Sequence, residues 1–154
     1  MGLSVRDISL SLLRWLFGAV FLFSGLTKAV DPVGTSVFVE KYLTTYGLDV
    51  LMEFALPIAV ALATVELTLG IAVIINAFHR LTLRISLLFV ALFTLITLLS
   101  ATVLPIGDCG CFGDAVKLSP WATFWKNIGL LVVVVVLLRC DHRKYTTSLT
   151  QIGL

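Results

Sequence analysis

Four long apolar stretches divide the chain, and polar or charged segments separate them. The stretches run from about 9 to 30, 54 to 78, 83 to 104 and 121 to 138. The hydrocarbon core of a bilayer is about 30 Å thick, so a helix needs about 20 apolar residues to cross it. Because lipid offers no hydrogen-bond partner to the backbone, each stretch is predicted to be a membrane-spanning α-helix, including the valine-rich last one.

The segments between the stretches predict how the helices are arranged. The short turn "NAFHRLTLR" favours antiparallel packing of the second and third spans. Residues 31–54 are too polar to span, but apolar and amphipathic side chains recur there at helical spacing: Val37, Phe38, Lys41 and Tyr42, with Tyr46 beyond. This spacing favours a short amphipathic helix at the interface. The predicted fold is all-α, an integral membrane four-helix bundle running up-down-up-down, with one transmembrane domain over 1–154.

Composition strengthens the membrane assignment. The 154 residues are 59% hydrophobic and only 13% charged, whereas about a quarter of a soluble domain is charged. A chain this small cannot bury so much apolar surface in a core of its own, so a lipid bilayer is expected around it. The net charge of +2 gives no indication of nucleic-acid binding.

The distribution of lysine and arginine predicts the orientation. Six basic residues occupy the N-terminus, the turn between the second and third spans, and the tail: Arg6, Arg80, Arg84, Arg139, Arg143 and Lys144. The other two loops hold four lysines and six acids. We therefore expect a multi-pass protein of the bacterial inner membrane, with both termini and the tail 141–154 in the cytoplasm. The loop 105–120 would then lie in the periplasm, where disulfides form.

Cys109 and Cys111 lie one residue apart in the sequence "IGDCGCFGD" of that loop. A disulfide between them would close a very small ring, whose strain favours thiol exchange over stapling. Gly110 supplies the unusual dihedral angles that such a ring needs. Two other interpretations stay open: half of a metal site, completed by Asp108 or Asp114, and two small cysteines without chemistry. No histidine is near them in the sequence, so we predict no metal.

Ionisable residues also occur within the predicted spans. Glu66 lies near the middle of the second span, where a carboxylate usually faces the bundle interior and has a partner. Arg14 lies inside the first span and Lys28 closes it, and Lys28 is expected to extend its ammonium group to the interface. A direct pair of Arg14 with Glu66 requires helix tilt or an extended arginine, because their depths differ by about 10 Å. Asn127 lies two turns into the fourth span, where it could hydrogen-bond across helices or to a ligand.

Two sequence runs and the cysteine loop resemble those of known membrane-protein families. The run "RWLFGAVFLFSGLTKAVDP" resembles the first-helix signature of the DoxX-like membrane proteins, and "ELTLG", which begins at Glu66, resembles their next signature. The matching positions of the first run are Arg14, Gly18, Phe21, Ser24, Gly25, Lys28, Asp31 and Pro32. The "DCGCFGD" loop is similar to that of the MauE branch, the methylamine-utilisation membrane proteins.

The resemblance implies a four-helix membrane protein of thiol–disulfide chemistry outside the cytoplasm. Our leading hypothesis is that Cys109 and Cys111 exchange electrons between a periplasmic thioredoxin-like partner and a membrane quinone. The quinone is implied by the resemblance alone. The residues predicted to form the quinone site are Arg14, Glu66, Lys28, Asn127, Trp121 and Trp125. Aromatic residues such as the two tryptophans more commonly form a belt at the membrane interface.

Two other classes of function stay open. The chain could be a non-catalytic accessory subunit of a larger membrane complex, in which the cysteine turn is a shape element and Glu66 and Arg14 serve assembly. It could also be a carrier that uses Glu66 for a small molecule or ion. An accessory subunit is expected to be unstable alone and to copurify with its partners.

Overall fold

The computed structural model describes residues 5–103 and 119–151, with the backbone alone described from 141 onward. The five α-helices are α1 (Val5–Val30), α2 (Pro32–Thr45), α3 (Ala55–Ile74), α4 (His79–Thr102) and α5 (Pro120–Gln151), and a short 3₁₀ helix, Asp49–Phe54, leads into α3. Among the described residues, four helical segments are long and apolar enough to cross a membrane. The all-α membrane bundle predicted from the sequence is confirmed, and a lipid bilayer is the medium that it requires.

Two helix ends differ by several residues from the approximate bounds of the predicted spans. The second span ends at Ile74 and not near residue 78, because the backbone is left-handed at Asn76 (φ 60°) and Phe78 (φ 42°). Helix α4 then begins at His79, four residues before the predicted start, and Thr82 closes its first turn by donating its hydroxyl to the carbonyl of Ala77 at 2.7 Å. A helix start can include polar residues that hydropathy excludes from the span.

The helices pack as two close pairs, α1 with α3 and α4 with α5. Glycines allow α1 and α3 to approach each other closely. A Cβ atom added at Gly25 would lie 2.8 Å from the backbone nitrogen of Leu67, and one at Gly70 would lie 3.1 Å from the carbonyl oxygen of Gly18. Because residue 18 lies beside 70 and residue 25 beside 67, the two helices are antiparallel.

Helix α2 lies between the first two spans, as the sequence predicts. Asp31 caps its start by accepting a hydrogen bond from the backbone nitrogen of Gly34 at 2.7 Å. Phe38 and Tyr42 are half-buried on one face, whereas Val37 is 58% exposed. The end of the bundle where α1 and α4 finish and α3 and α5 begin is called the α2 end below.

Candidate functional site

A buried ion pair joins α1 to α3. The Nζ atom of Lys28 lies 2.8 Å from Oε2 of Glu66, and the two side chains are only 3% and 7% exposed. Lys28 also donates a hydrogen bond to Oγ of Ser24, one turn earlier on α1, at 2.7 Å. Buried charges are retained when they are paired and hydrogen-bonded, and both conditions hold here.

The direction of helical side chains explains why these two residues meet. In an α-helix every Cα–Cβ bond tilts toward the N-terminus. Lys28, near the end of α1, therefore points back into the bundle, whereas Glu66 on the antiparallel α3 points toward the α2 end. Gly25 lies three residues before Lys28, at the close crossing of the two helices, so their backbones are near enough for a direct contact.

One sequence-based expectation about the charged residues is corrected, and the partner of Glu66 is identified. Lys28 does not extend to the interface, because it is 2% exposed and turned toward Glu66. The ion pair that Glu66 forms is with Lys28, and Arg14 lies 14 residues earlier on α1, about 21 Å along the helix axis. Arg14 is half-buried nearer the opposite end of the bundle.

A small, partly open cavity lies beside the ion pair, between α1, α3, α4 and α5. Its volume is about 30 Å³. Its polar lining consists of Ser24, Glu66, Lys126 and Asn127, and its apolar lining includes Phe21. Asn127 is 4% exposed, and its Nδ2 donates a long hydrogen bond of 3.5 Å to Oγ1 of a threonine on α4. The structure therefore brings Asn127 and Glu66 to one site, with the predicted hydrogen bond across helices.

A larger groove opens between α2, α3 and α4 at the α2 end. Its volume is about 470 Å³, and we call it the α2 groove. Most of its lining is apolar or aromatic: Phe38, Val39, Tyr42, Ile58, Leu62 and Ile96. Lys28 and Thr97 also line it, and Phe93 lines both this groove and the small cavity. The ion pair thus lies between the two spaces, with Lys28 lining the apolar groove and Glu66 lining the small cavity.

The structure does not bring the two predicted tryptophans to this site. Trp121 is 50% exposed and Trp125 is 66% exposed, and neither lines the α2 groove or the small cavity. Both rings pack against Phe124, with ring centroids 6.1 Å and 5.7 Å away. Exposed aromatic rings near a helix start are typical of the belt at a membrane interface.

Cys109 and Cys111 lie outside the described residues, as do Asp108 and Asp114. The chain segment that carries them connects Thr102, the last residue of α4, to Pro120, the first of α5. Both connection points are at the α2 end, and Leu99, near the end of α4, lines the groove. Within the described parts of the chain, no group of three histidine, cysteine or acidic residues is placed to hold a metal ion.

Sequence reasoning missed a column of buried hydroxyl residues on α4. The buried members are Thr82, Ser86, Thr94, Thr97 and Ser100. Their spacing of three, four or eight residues in a helix rich in leucine and phenylalanine is the signal that would have identified this face. Near the α2 end, Oγ of Ser100 lies 3.5 Å from the phenol oxygen of Tyr46. The column therefore reaches from the bundle interior to the end of α2.

The fold and the buried site define a helical membrane protein with four candidate spans and a charge pair between the first two. The family model described as "Methylamine utilisation protein MauE" matches residues 6–139. The chain belongs to the MauE family. The MauE resemblance of the cysteine loop is thereby confirmed at the level of the family, whereas the DoxX-like name stays a resemblance.

Protein TlpB of Flavobacterium psychrophilum is a relative that is 31% identical over 133 residues, which cover 81% of this chain and 35% of TlpB. The chain thus spans about a third of the length of that curated relative. No solved structure matches the chain.

Proposed function

We propose that this membrane protein exchanges electrons between a periplasmic thioredoxin-like partner and a membrane quinone through the pair Cys109 and Cys111. One observation carries the proposal. The helix ends that hold the cysteine segment and the apolar α2 groove both lie at the α2 end of the bundle, and Lys28 of the buried pair lines that groove. A thiol pair and a lipid-soluble electron acceptor would therefore meet at one place.

The thiol step is an ordinary disulfide exchange. With the cysteine pair oxidised, a partner thiolate attacks one of its sulfur atoms, the Cys109–Cys111 bond breaks, and a mixed disulfide forms. The second partner thiolate then attacks the partner sulfur of that bond. Cys109 and Cys111 leave as two thiols and the partner leaves as a disulfide, so two electrons and two protons have moved. The reverse sequence transfers electrons to the partner, and the two reduction potentials set the direction.

The α2 groove fits a quinone in size and polarity. Sites for small molecules typically enclose about 300 to 1,000 Å³, mostly with apolar walls and a few polar groups. The groove of about 470 Å³ has apolar walls for an isoprenoid tail, and Lys28 and Thr97 supply polar groups for the ring oxygens. A bound quinone supplies a two-electron, two-proton couple for the cysteine pair. Glu66 keeps the site electrically neutral by pairing with the ammonium group of Lys28.

The decisive experiment measures thiols in native membranes. Free thiols are trapped with a maleimide of known mass before and after a mild reductant, and the peptide that contains residues 105–120 is weighed. We expect a disulfide that reduces easily. Cys109→Ser and Cys111→Ser should shift the redox state of the thioredoxin-like partner, whereas Cys140→Ser, 20 residues along α5 from Pro120, should not. Permanently free thiols, or an unchanged partner, contradict the proposal.

The proposal places the cysteine segment in the periplasm of a bacterium and both termini in the cytoplasm. A membrane-impermeant maleimide tests this orientation in intact cells that express the Cys140→Ser variant of the protein. Cys109 and Cys111, once reduced, should react from outside. A cysteine introduced by Arg80→Cys, at the exposed start of α4, should react only after the membrane is permeabilised. The opposite pattern would overturn the orientation.

The rival proposal is a non-catalytic accessory subunit of a larger membrane complex. The length of TlpB favours it, because 35% of that protein matches this chain and the rest lies outside the match. If the chain is an accessory subunit, it should unfold in detergent unless its partner is present. The cysteine-to-serine variants would then purify with the same partner and leave thiol redox states unchanged.

A further inference from the structure

The small cavity beside Glu66 has the size and the polar lining of an internal water site. We propose that it holds one or two water molecules, which hydrate Glu66 and connect it through hydroxyl groups of α4 to the α2 end of the bundle. This inference does not depend on the cysteine chemistry, because it rests only on the described helices.

Volume and lining both support a water site. A water molecule needs a cavity of about 10 to 15 Å³ by this measure, and it needs two to four polar partners. The cavity has about 30 Å³ and four polar side chains in its wall, Ser24, Glu66, Lys126 and Asn127. Lys28 contacts one carboxylate oxygen of Glu66, Oε2, and a carboxylate can accept several further hydrogen bonds. Water in the cavity would therefore stabilise a charge that lies in the bundle interior.

A line of polar side chains leads from this cavity toward the α2 end. Asn127 contacts Oγ1 of Thr97 at 3.5 Å, and Ser100 contacts the phenol oxygen of Tyr46 at 3.5 Å. Thr97 and Ser100 are 1% and 0% exposed and lie three residues apart, on one face of α4. In the structure both hydroxyls donate to carbonyls of their own helix, Thr97 to Thr94 at 3.0 Å and Ser100 to Ile96 at 2.9 Å. A hydroxyl group both donates and accepts, so rotation of these side chains would let the line pass water or a proton.

The other walls of the cavity do not offer such a route. They consist of apolar side chains from three helices: Val20, Phe21, Phe89, Val90, Phe93 and Leu130. The hydroxyl line is therefore a polar connection from the cavity to the α2 end along α4 and α5, beside the one that Lys28 makes between Glu66 and the α2 groove. It would let the carboxylate exchange protons with that end without opening the bundle.

Radiolytic footprinting tests the water site directly, because hydroxyl radicals made from bound water oxidise the nearest side chains. Phe21 is 5% exposed and lines the cavity, whereas Phe17, one turn earlier on the same helix, is 1% exposed and does not. In the intact wild-type protein in lipid nanodiscs, we expect oxidation of Phe21 to exceed that of Phe17 several-fold. Equal, near-zero oxidation of both rings would show a dry cavity and overturn the proposal.

Two variants test the polar partners and the route. Asn127→Leu should lower the oxidation of Phe21 to the level of Phe17. After rapid mixing with ¹⁸O-labelled water, Thr97→Val should slow the appearance of ¹⁸O at Phe21 several-fold. Thr94→Val is the matched control, because both hydroxyls are buried and donate to a carbonyl of α4, that of Thr94 to Val90 at 2.6 Å, whereas Thr97 also accepts from Asn127.

Each further result also decides the question. If Thr97→Val and Thr94→Val exchange labelled water equally fast, the hydroxyl route is wrong. If Asn127→Leu raises the oxidation of Phe17, that variant has lost its core, and the wild-type comparison of Phe21 with Phe17 then decides about the water site.

Discussion

The buried ion pair makes a specific prediction about stability. We replace Lys28 with methionine, Glu66 with methionine, and then both. Each single change leaves one charge in the bundle interior without its counter-charge, since Lys28 and Glu66 are 3% and 7% exposed in their side chains. The double change leaves no charge at all, and the two methionine side chains have similar lengths to those they replace.

The magnitudes follow from the cost of removing charges from water. Removing one partner of a buried ion pair lowers the free energy of unfolding by about 3 to 5 kcal/mol, whereas replacing both by apolar residues is often neutral or stabilising. We therefore expect Lys28→Met and Glu66→Met each to lose about 3 kcal/mol or more. The double variant should be as stable as the wild type or more so.

The assay is reversible unfolding in mixed micelles, followed by far-UV circular dichroism as the denaturing detergent increases. Lys41→Met is the matched control, because Lys41 is exposed on α2 and its loss should change the free energy of unfolding by less than about 0.5 kcal/mol. Two results would refute the reasoning: Lys28→Met behaving like Lys41→Met, or the double variant losing the sum of the two single losses.

Three further predictions concern the helix crossing, the groove and the start of α2. Gly25→Ala should lower the free energy of unfolding in the same titration, because its new Cβ atom would lie 2.8 Å from a backbone nitrogen, whereas Gly129→Ala, with nothing within 4 Å, should be neutral or stabilising. Ile96→Trp should weaken quinone binding, measured by fluorescence quenching, about tenfold or more by filling the α2 groove, and the exposed Leu88→Trp should not. Asp31→Ala should cost about 1 kcal/mol of unfolding free energy and Asp31→Asn much less, because asparagine also caps a helix. Equal effects of the two members of any pair would contradict the corresponding contact.

The spans could be predicted from the sequence, whereas the pairing of the helices could not. Hydropathy identifies a membrane helix because the whole segment must be apolar, and this signal is strong in all four spans. It does not distinguish lipid-facing from helix-facing side chains, because both are apolar. The exposed Leu88 and the buried Leu83 of α4 look alike in the sequence. The close crossing of α1 and α3 depends on Gly25 and Gly70, and the sequence alone does not show which glycines face each other.

The expectation that Lys28 extends to the membrane interface was wrong for a related reason. A lysine near a helix end is expected to reach the interface, since its long side chain can extend outward. That expectation uses position along the axis and ignores direction. Lys28 follows Ser24 by one turn and points toward the N-terminus of α1, so its ammonium group enters the bundle. The signal was present in the spacing of Ser24, Gly25 and Lys28, which places a small residue and a hydroxyl group on the face below the lysine.

The position of the ion pair between two unlike spaces connects the quinone proposal with the water site. Lys28 lines the apolar α2 groove and Glu66 lines the small cavity, which has four polar side chains in its wall, while Phe93 lines both. A ligand oxygen in the groove that accepts a hydrogen bond from Lys28 would weaken the attraction of Lys28 for Glu66. The carboxylate would then depend more on cavity water for its hydration. Adding a quinone to the wild-type protein should therefore raise the oxidation of Phe21 in footprinting, whereas an alkane of similar size, which has no acceptor oxygen, should leave it unchanged.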